Sequence, residues 1–183
     1  MRALSKKEIN RMLAKGRTLS EQEITAILDE FQKKQPEIYQ AIYGEPPDAI
    51  AEENPEMASM YLEWCFDVIW IYRSAFGKPP IVPDREQLVL NSLSLLDLEL
   101  KSLSDGVQME DTLRSNLQKR FIRRTAEAGV QIELLEYLDR AVRKYASLKR
   151  ERRASIDLTN VFLYMVVRLM DDLYNKKGQQ PEP

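Results

Sequence analysis

Residues 54–77 read Asn-Pro-Glu-Met-Ala-Ser-Met-Tyr-Leu-Glu-Trp-Cys-Phe-Asp-Val-Ile-Trp-Ile-Tyr-Arg-Ser-Ala-Phe-Gly. Asn54 is a good N-cap and Pro55 suits the first helical position, where its missing N–H costs nothing. Gly77 suits the left-handed residue that closes a helix. Of the 20 residues from Met57 to Phe76, 15 are apolar, and both tryptophans and the one cysteine fall here. A helix this apolar has to be covered by others. It is long enough to span a bilayer, but Glu63, Asp67 and Arg73 interrupt it, and a single mid-helix Asp costs about 2.5–3.5 kcal/mol on insertion scales. The reading is a buried helix of a globular protein.

A second apolar helix is expected over about 156–177, through Val161-Phe162-Leu163-Tyr164-Met165-Val166-Val167-Arg168-Leu169-Met170. The two should pack together at the centre. No run of alternating β-branched residues appears, and the six glycines, at 16, 44, 77, 106, 129 and 178, each close a stretch of helical periodicity. The fold class is therefore all-α, a bundle of about seven helices with central helices at about 55–76 and 156–177. One helical domain is expected over residues 1–177, with a disordered tail at 178–183.

The other helices follow from local signals. Leu4-Ser5-Lys6-Lys7-Glu8-Ile9 and Leu19-Ser20-Glu21-Gln22-Glu23-Ile24 share a pattern in which Ser caps, Glu three residues on completes a capping box, and Leu staples against Ile. A helix-turn-helix reader is conceivable for this pair, but two helix starts explain the repeat fully. The second helix should run from Ser20 to about Tyr43, bent or interrupted at Pro36. Residues 44–56 read as an acidic linker. Within it, Glu52-Glu53-x-x-Glu56 is similar to a metal-binding motif of all-helical nucleotide pyrophosphohydrolases. Pro55 sits inside the motif and no suitably spaced Glu-x-x-Asp follows, so the stretch reads as solvated loop and helix start. Gly77-Lys78-Pro79-Pro80-Ile81-Val82-Pro83 is a stiff connection. Val89, Leu93, Leu96, Leu100 and Leu103 then form an apolar strip on the next helix, widened by Leu88, Leu90, Leu95 and Leu98. Helices at about 109–128 and 130–150 precede the last one, with Gly129 implying a tight hairpin or kink.

The chain has no histidine and one cysteine. That removes Ser-His-Asp and Cys-His catalysis and histidine- or thiolate-ligated metals, and leaves oxygen-only sites for Mg, Ca or Mn. Cys65, among apolar neighbours, reads as an inert packing thiol. A lone cysteine and the lack of a secretory signal favour the cytoplasm. No cofactor is implied.

Two features hold candidate sites. On the central helix Glu56, Ser59, Glu63, Asp67, Arg73 and Ser74 fall within about 120° of one another, and so on the last helix do Asp157, Asn160, Arg168, Asp171, Asp172 and Asn175. Glu63 and Asp67 with Asp171 and Asp172 could form an oxygen-ligand metal site of a phosphohydrolase; the favoured reading is an ion-paired seam, with Arg73 or Arg168 as the partner. The second feature is charge. The net −2 hides +5 over residues 1–18, −13 over 19–113, +7 over 114–153 and −1 over 154–183. The basic block offers Arg120, Arg123 and Arg124 on one helix and Arg140, Arg143, Lys144 and Arg150 on the next. These suit nucleic-acid phosphates, another phosphate ligand or an acidic protein, or else they offset the chain's own acidic half.

The favoured function is a non-catalytic helical interaction or regulatory module that self-associates, most simply as a homodimer, through apolar strip left over on the helix after Pro83 or on the central helix. A further protein partner is expected ahead of nucleic acid, and no membrane partner is expected.

Overall fold

The computed structural model describes the backbone of residues 1–103, 108–126, 131–147 and 153–175, with side chains for all of these except 103 and 120–126. Among the described residues every regular element is a helix, in the order α1 (Lys6–Gly16), α2 (Glu21–Lys34), α3 (Pro36–Tyr43), α4 (Glu45–Glu53), α5 (Pro55–Phe76), α6 (Arg85–Leu103), α7 (Asp111–Ala126), α8 (Ile132–Ser147) and α9 (Arg153–Asn175). The all-α expectation holds. The count is higher than seven for two local reasons.

The first is Pro36. The residue before a proline is pushed out of the helical region, and Gln35 sits at φ −135°, ψ 56°. The helix starting after Ser20 therefore stops at Lys34, and α3 restarts with Pro36 at its first position. The second is residues 44–56, expected as a linker and found to contain α4. Pro46 and Pro47 occupy its first turn, where their missing N–H groups leave nothing unsatisfied. Pro46 and Ile50 are the residues it buries.

The capping signals operate as read. Ser5 and Ser20 each accept from the backbone N–H of the glutamate three residues on, and Glu8 and Glu23 reach back to the serine N–H. Asn54 caps α5 through Met57 N–H, and Gly77 closes it at φ +87°.

α5 and α9 are the centre, packed on each other. α4 and α1 also lie on α5; α8, α6, α4 and α3 lie on α9; α7 lies on α6. Met57, Tyr61, Cys65, Val68, Ile71 and Tyr72 of α5 are fully covered, as are Val166, Val167, Leu169, Met170 and Leu173 of α9. The polar ends of two of the large rings are satisfied: Tyr61 Oη donates to the Ile42 carbonyl at 3.0 Å, and Trp70 Nε1 to the Met12 carbonyl at 2.8 Å. Cys65 lies fully buried midway along α5. No helix among the described residues is long and apolar enough to cross a membrane. The proposed tail and the link at Gly129 lie outside the described residues.

Candidate functional site

The carboxylates singled out on the central helices are distributed to different neighbours. Glu63 is exposed to solvent. Asp67 is 2% exposed and accepts from Arg17 Nη2 at 2.8 Å and from Tyr137 Oη at 3.3 Å. It thus ties α5 to the end of α1 and to α8. Burial outweighs the arginine and raises the Asp67 carboxyl above the usual range. The same burial, with Asp67 alongside, pushes the Tyr137 hydroxyl up to about 12.

Asp171 accepts from Tyr72 Oη at 2.6 Å, and Asp172 from Ser92 Oγ at 2.7 Å. Asp67, Asp171 and Asp172 are thus held by three separate sets of partners, while Glu63 faces solvent. Among the described residues no group of three or more His, Cys, Asp or Glu side chains is placed to hold a metal. Arg73 and Arg168, the expected partners of Asp67, are engaged elsewhere. Arg73 binds Glu30, which also holds Lys34 and Lys78. Hydrogen bonds from Lys34, Lys78 and Arg73 bring the Glu30 carboxyl down to about 2.

Arg168 pairs with Glu99 at 3.3 Å, and the two side chains are 6% and 0% exposed. Its guanidinium also sits 5.7 Å from the Tyr164 ring centroid one turn back on α9. Glu99 escaped the sequence reading, although a helical wheel of α6 places it between Ser92 and Leu88, inside the covered side.

The basic block divides in two. On α8, Arg140 lies 3.7 Å from Glu136 and Arg143 2.9 Å from Asp139, each one turn back. Lys144 is exposed. With Glu133, the three basic residues of α8 are matched by three acidic ones. The remaining basic charge lies on α7, whose sequence has five basic residues and one acidic, Asp111. Arg120, Arg123 and Arg124 are on α7, with side chains outside the described residues, and Arg150 lies outside them altogether. Of the rest of α7, Arg114 and Gln118 both donate to the Ser102 carbonyl near the end of α6, at 2.9 and 2.8 Å.

Among the described residues two concave surfaces stand out. One, of about 500 Å³, lies among Asp29, Glu30, Lys33, Lys34, Ile81 and Arg85. Within it Glu30 and Lys34 pair with each other, Arg85 pairs with Glu37, and the apolar lining is Ile81. The other, of about 410 Å³, opens between α3, α4, α6 and α9. Ala41, Pro46, Ala49, Val89, Leu93, Phe162 and Met165 make its floor and walls, and Glu37, Gln40 and Glu45 make its rim. Glu37 is drawn to Arg85 Nε at 3.1 Å. This is an apolar recess with a polar edge, the shape that receives an apolar side chain or ligand. It brings no nucleophile and base together. Cys65, buried and with its thiol pushed up by burial, supplies no thiolate.

No protein-family model matches this chain, and neither curated proteins nor solved structures yield a significant match.

Proposed function

We propose that this chain is a non-catalytic helical interaction module of the cytoplasm that associates with a second copy of itself. The observation that carries the reading is the set of exposed leucines on α6 and α7. Leu90 and Leu98 are 52% and 41% exposed, and Leu113 of α7, which packs on α6, is 46% exposed. Leu90 and Leu98 lie about 80° apart around the helix, on one side of it. Large apolar side chains gathered on one outward side are what an interface covers. A two-fold pair is the simplest closed assembly.

Sedimentation velocity across a concentration series tests this. A dimer that Leu90→Glu with Leu98→Glu converts to monomer, at unchanged helicity, is expected. A parent chain still monomeric at high micromolar concentration removes the proposal.

The second reading, anion binding by residues 114–153, draws on the net positive composition of this stretch. Titration with single- and double-stranded nucleic acid tests it. Each neutralised duplex phosphate adds about −0.9 to the log–log salt slope. Absence of binding at low salt leaves protein partners as the use of this face.

A further inference from the structure

The recess between α3, α4, α6 and α9 has a chemical setting of its own. From Gln35 to Tyr72 the chain contains no Lys or Arg and eight Asp or Glu residues. Five of the eight are on α3 and α4. Glu45, Asp48, Glu52 and Glu53 of α4 are exposed, and among the described residues none of the four lies in an ion pair. Ala49 lines the recess. On the helical wheel Glu45, Glu52 and Glu53 fall within about 60° of Ala49, and Asp48 within about 100°. An apolar floor is thus bordered along α4 by carboxylates that no described residue pairs with. Glu45, Asp48 and Glu52 span about 10 Å of helix, or two turns.

We propose that this recess docks a basic amphipathic helix from another protein. Apolar side chains of that helix seat on Ala49, Val89, Leu93 and Phe162. Its Lys or Arg residues, at intervals of one and two turns, face Glu45, Asp48 and Glu52. This is helix-in-groove recognition, in which apolar anchors supply affinity and the charged border sets the partner's sign and speeds encounter. The like charges along α4 repel an acidic helix of the same apolar face, which gives the recess its selectivity. The inference rests on the reading of the chain as an interaction module and names the partner class for one of its surfaces.

The test uses the full chain and a fluorescently labelled amphipathic Leu/Lys helix, with a Leu/Glu helix of identical apolar face as the control, read by anisotropy. The Leu/Lys peptide is expected to bind and the Leu/Glu peptide not to bind. Ala49→Trp, which fills the recess, should weaken binding by about tenfold or more. Glu45→Lys with Glu52→Lys, both on exposed positions, should weaken it by a similar factor and flatten its salt dependence. Circular dichroism checks that each variant keeps its helicity, and the charge reversal decides if Ala49→Trp does not fold. No binding of the Leu/Lys peptide at low salt, equal binding of both peptides, or binding indifferent to the folded variants overturns the proposal. Sedimentation of the same samples separates the two readings. A dimer that ignores the peptide rejects the recess alone, and a monomer that binds it rejects self-association alone.

Discussion

Arg168 and Glu99 form a buried ion pair between α9 and α6, and its removal should expose how little such a pair contributes compared with what its breakage costs. Neither side chain is more than 6% exposed. Arg168→Met leaves the Glu99 charge inside the bundle without its guanidinium. Breaking one side of a buried pair costs about 3–5 kcal/mol, a large share of the roughly 5–15 kcal/mol that holds a domain folded. Glu99→Leu alone strands the guanidinium at a similar cost. The double variant removes both charges and fills the same volume with apolar atoms, so it should be at least as stable as the parent, since such replacements are neutral or stabilising by about 1–4 kcal/mol. The coupling energy of the cycle should therefore reach about 3 kcal/mol or more. Urea unfolding followed by the fluorescence of Trp64 and Trp70, both covered in α5, reads all four chains. A cost of Arg168→Met below about 1 kcal/mol, the range of exposed pairs, would refute the assignment of this pair to the dry interior. A double variant losing the sum of the singles would refute the compensation argument.

Gly16→Ala should destabilise the protein although alanine is the better helix former by about 1 kcal/mol. The new Cβ would lie 2.9 Å from Trp70 Cδ1 and 3.0 Å from Nε1. That ring is pinned by its bond to Met12, so overpacking of about 1–3 kcal/mol wins; an unchanged or higher melting temperature would contradict this. The pH dependence should contain two opposed contributions. Glu30, held at about 2 against an ordinary 4.5, contributes stability above pH 4.5 that is lost as pH falls towards 2, so Glu30→Gln should flatten the acid limb. Asp67, whose folded value is raised, contributes most below its unfolded value and loses that contribution as pH rises through the folded one. Asp67→Asn should therefore hold or raise stability at neutral pH and steepen the acid limb. Urea midpoints measured across the acid range decide both, and superimposable limbs for Glu30→Gln and the parent would reject the first.

The long helices were legible because each carries its own start, stop and apolar side. Asn54, Pro55 and Gly77 bound α5 without help from the rest of the chain, and Ser5 and Ser20 mark the starts of α1 and α2 in the same way. α4 was not legible. Two prolines and four acidic residues look like loop, and the helix buries little besides Pro46 and Ile50, too few residues to show a period. The partners of the buried charges were also beyond local reading. Asp67 was expected to pair, but Arg17 reaches it from the end of α1, some 50 residues away in sequence, and a helical wheel ranks only residues on the same helix. Arg168 and Glu99 meet across 69 residues for the same reason. Of the recess, the sequence displayed the acidic border and the apolar strips separately. Only the packing of α3, α4, α6 and α9 puts them beside one another.

The position of Cys65 gives the molecule a built-in gauge of its own opening. It is the sole thiol in the chain, fully covered at the middle of the helix on which α1, α4 and α9 converge. A soluble thiol reagent has no route to it while those neighbours stay in place. Labelling then counts excursions in which the centre comes apart, and ignores fraying at helix ends or motion of the surface. When reclosing outpaces the reagent, the labelling rate reports the free energy of that opening. When the reagent is fast, it reports the frequency of opening itself. The unmutated protein therefore distinguishes a partner that grips the bundle as a whole from one that merely rests on its exterior: the first slows the clock, the second leaves it running.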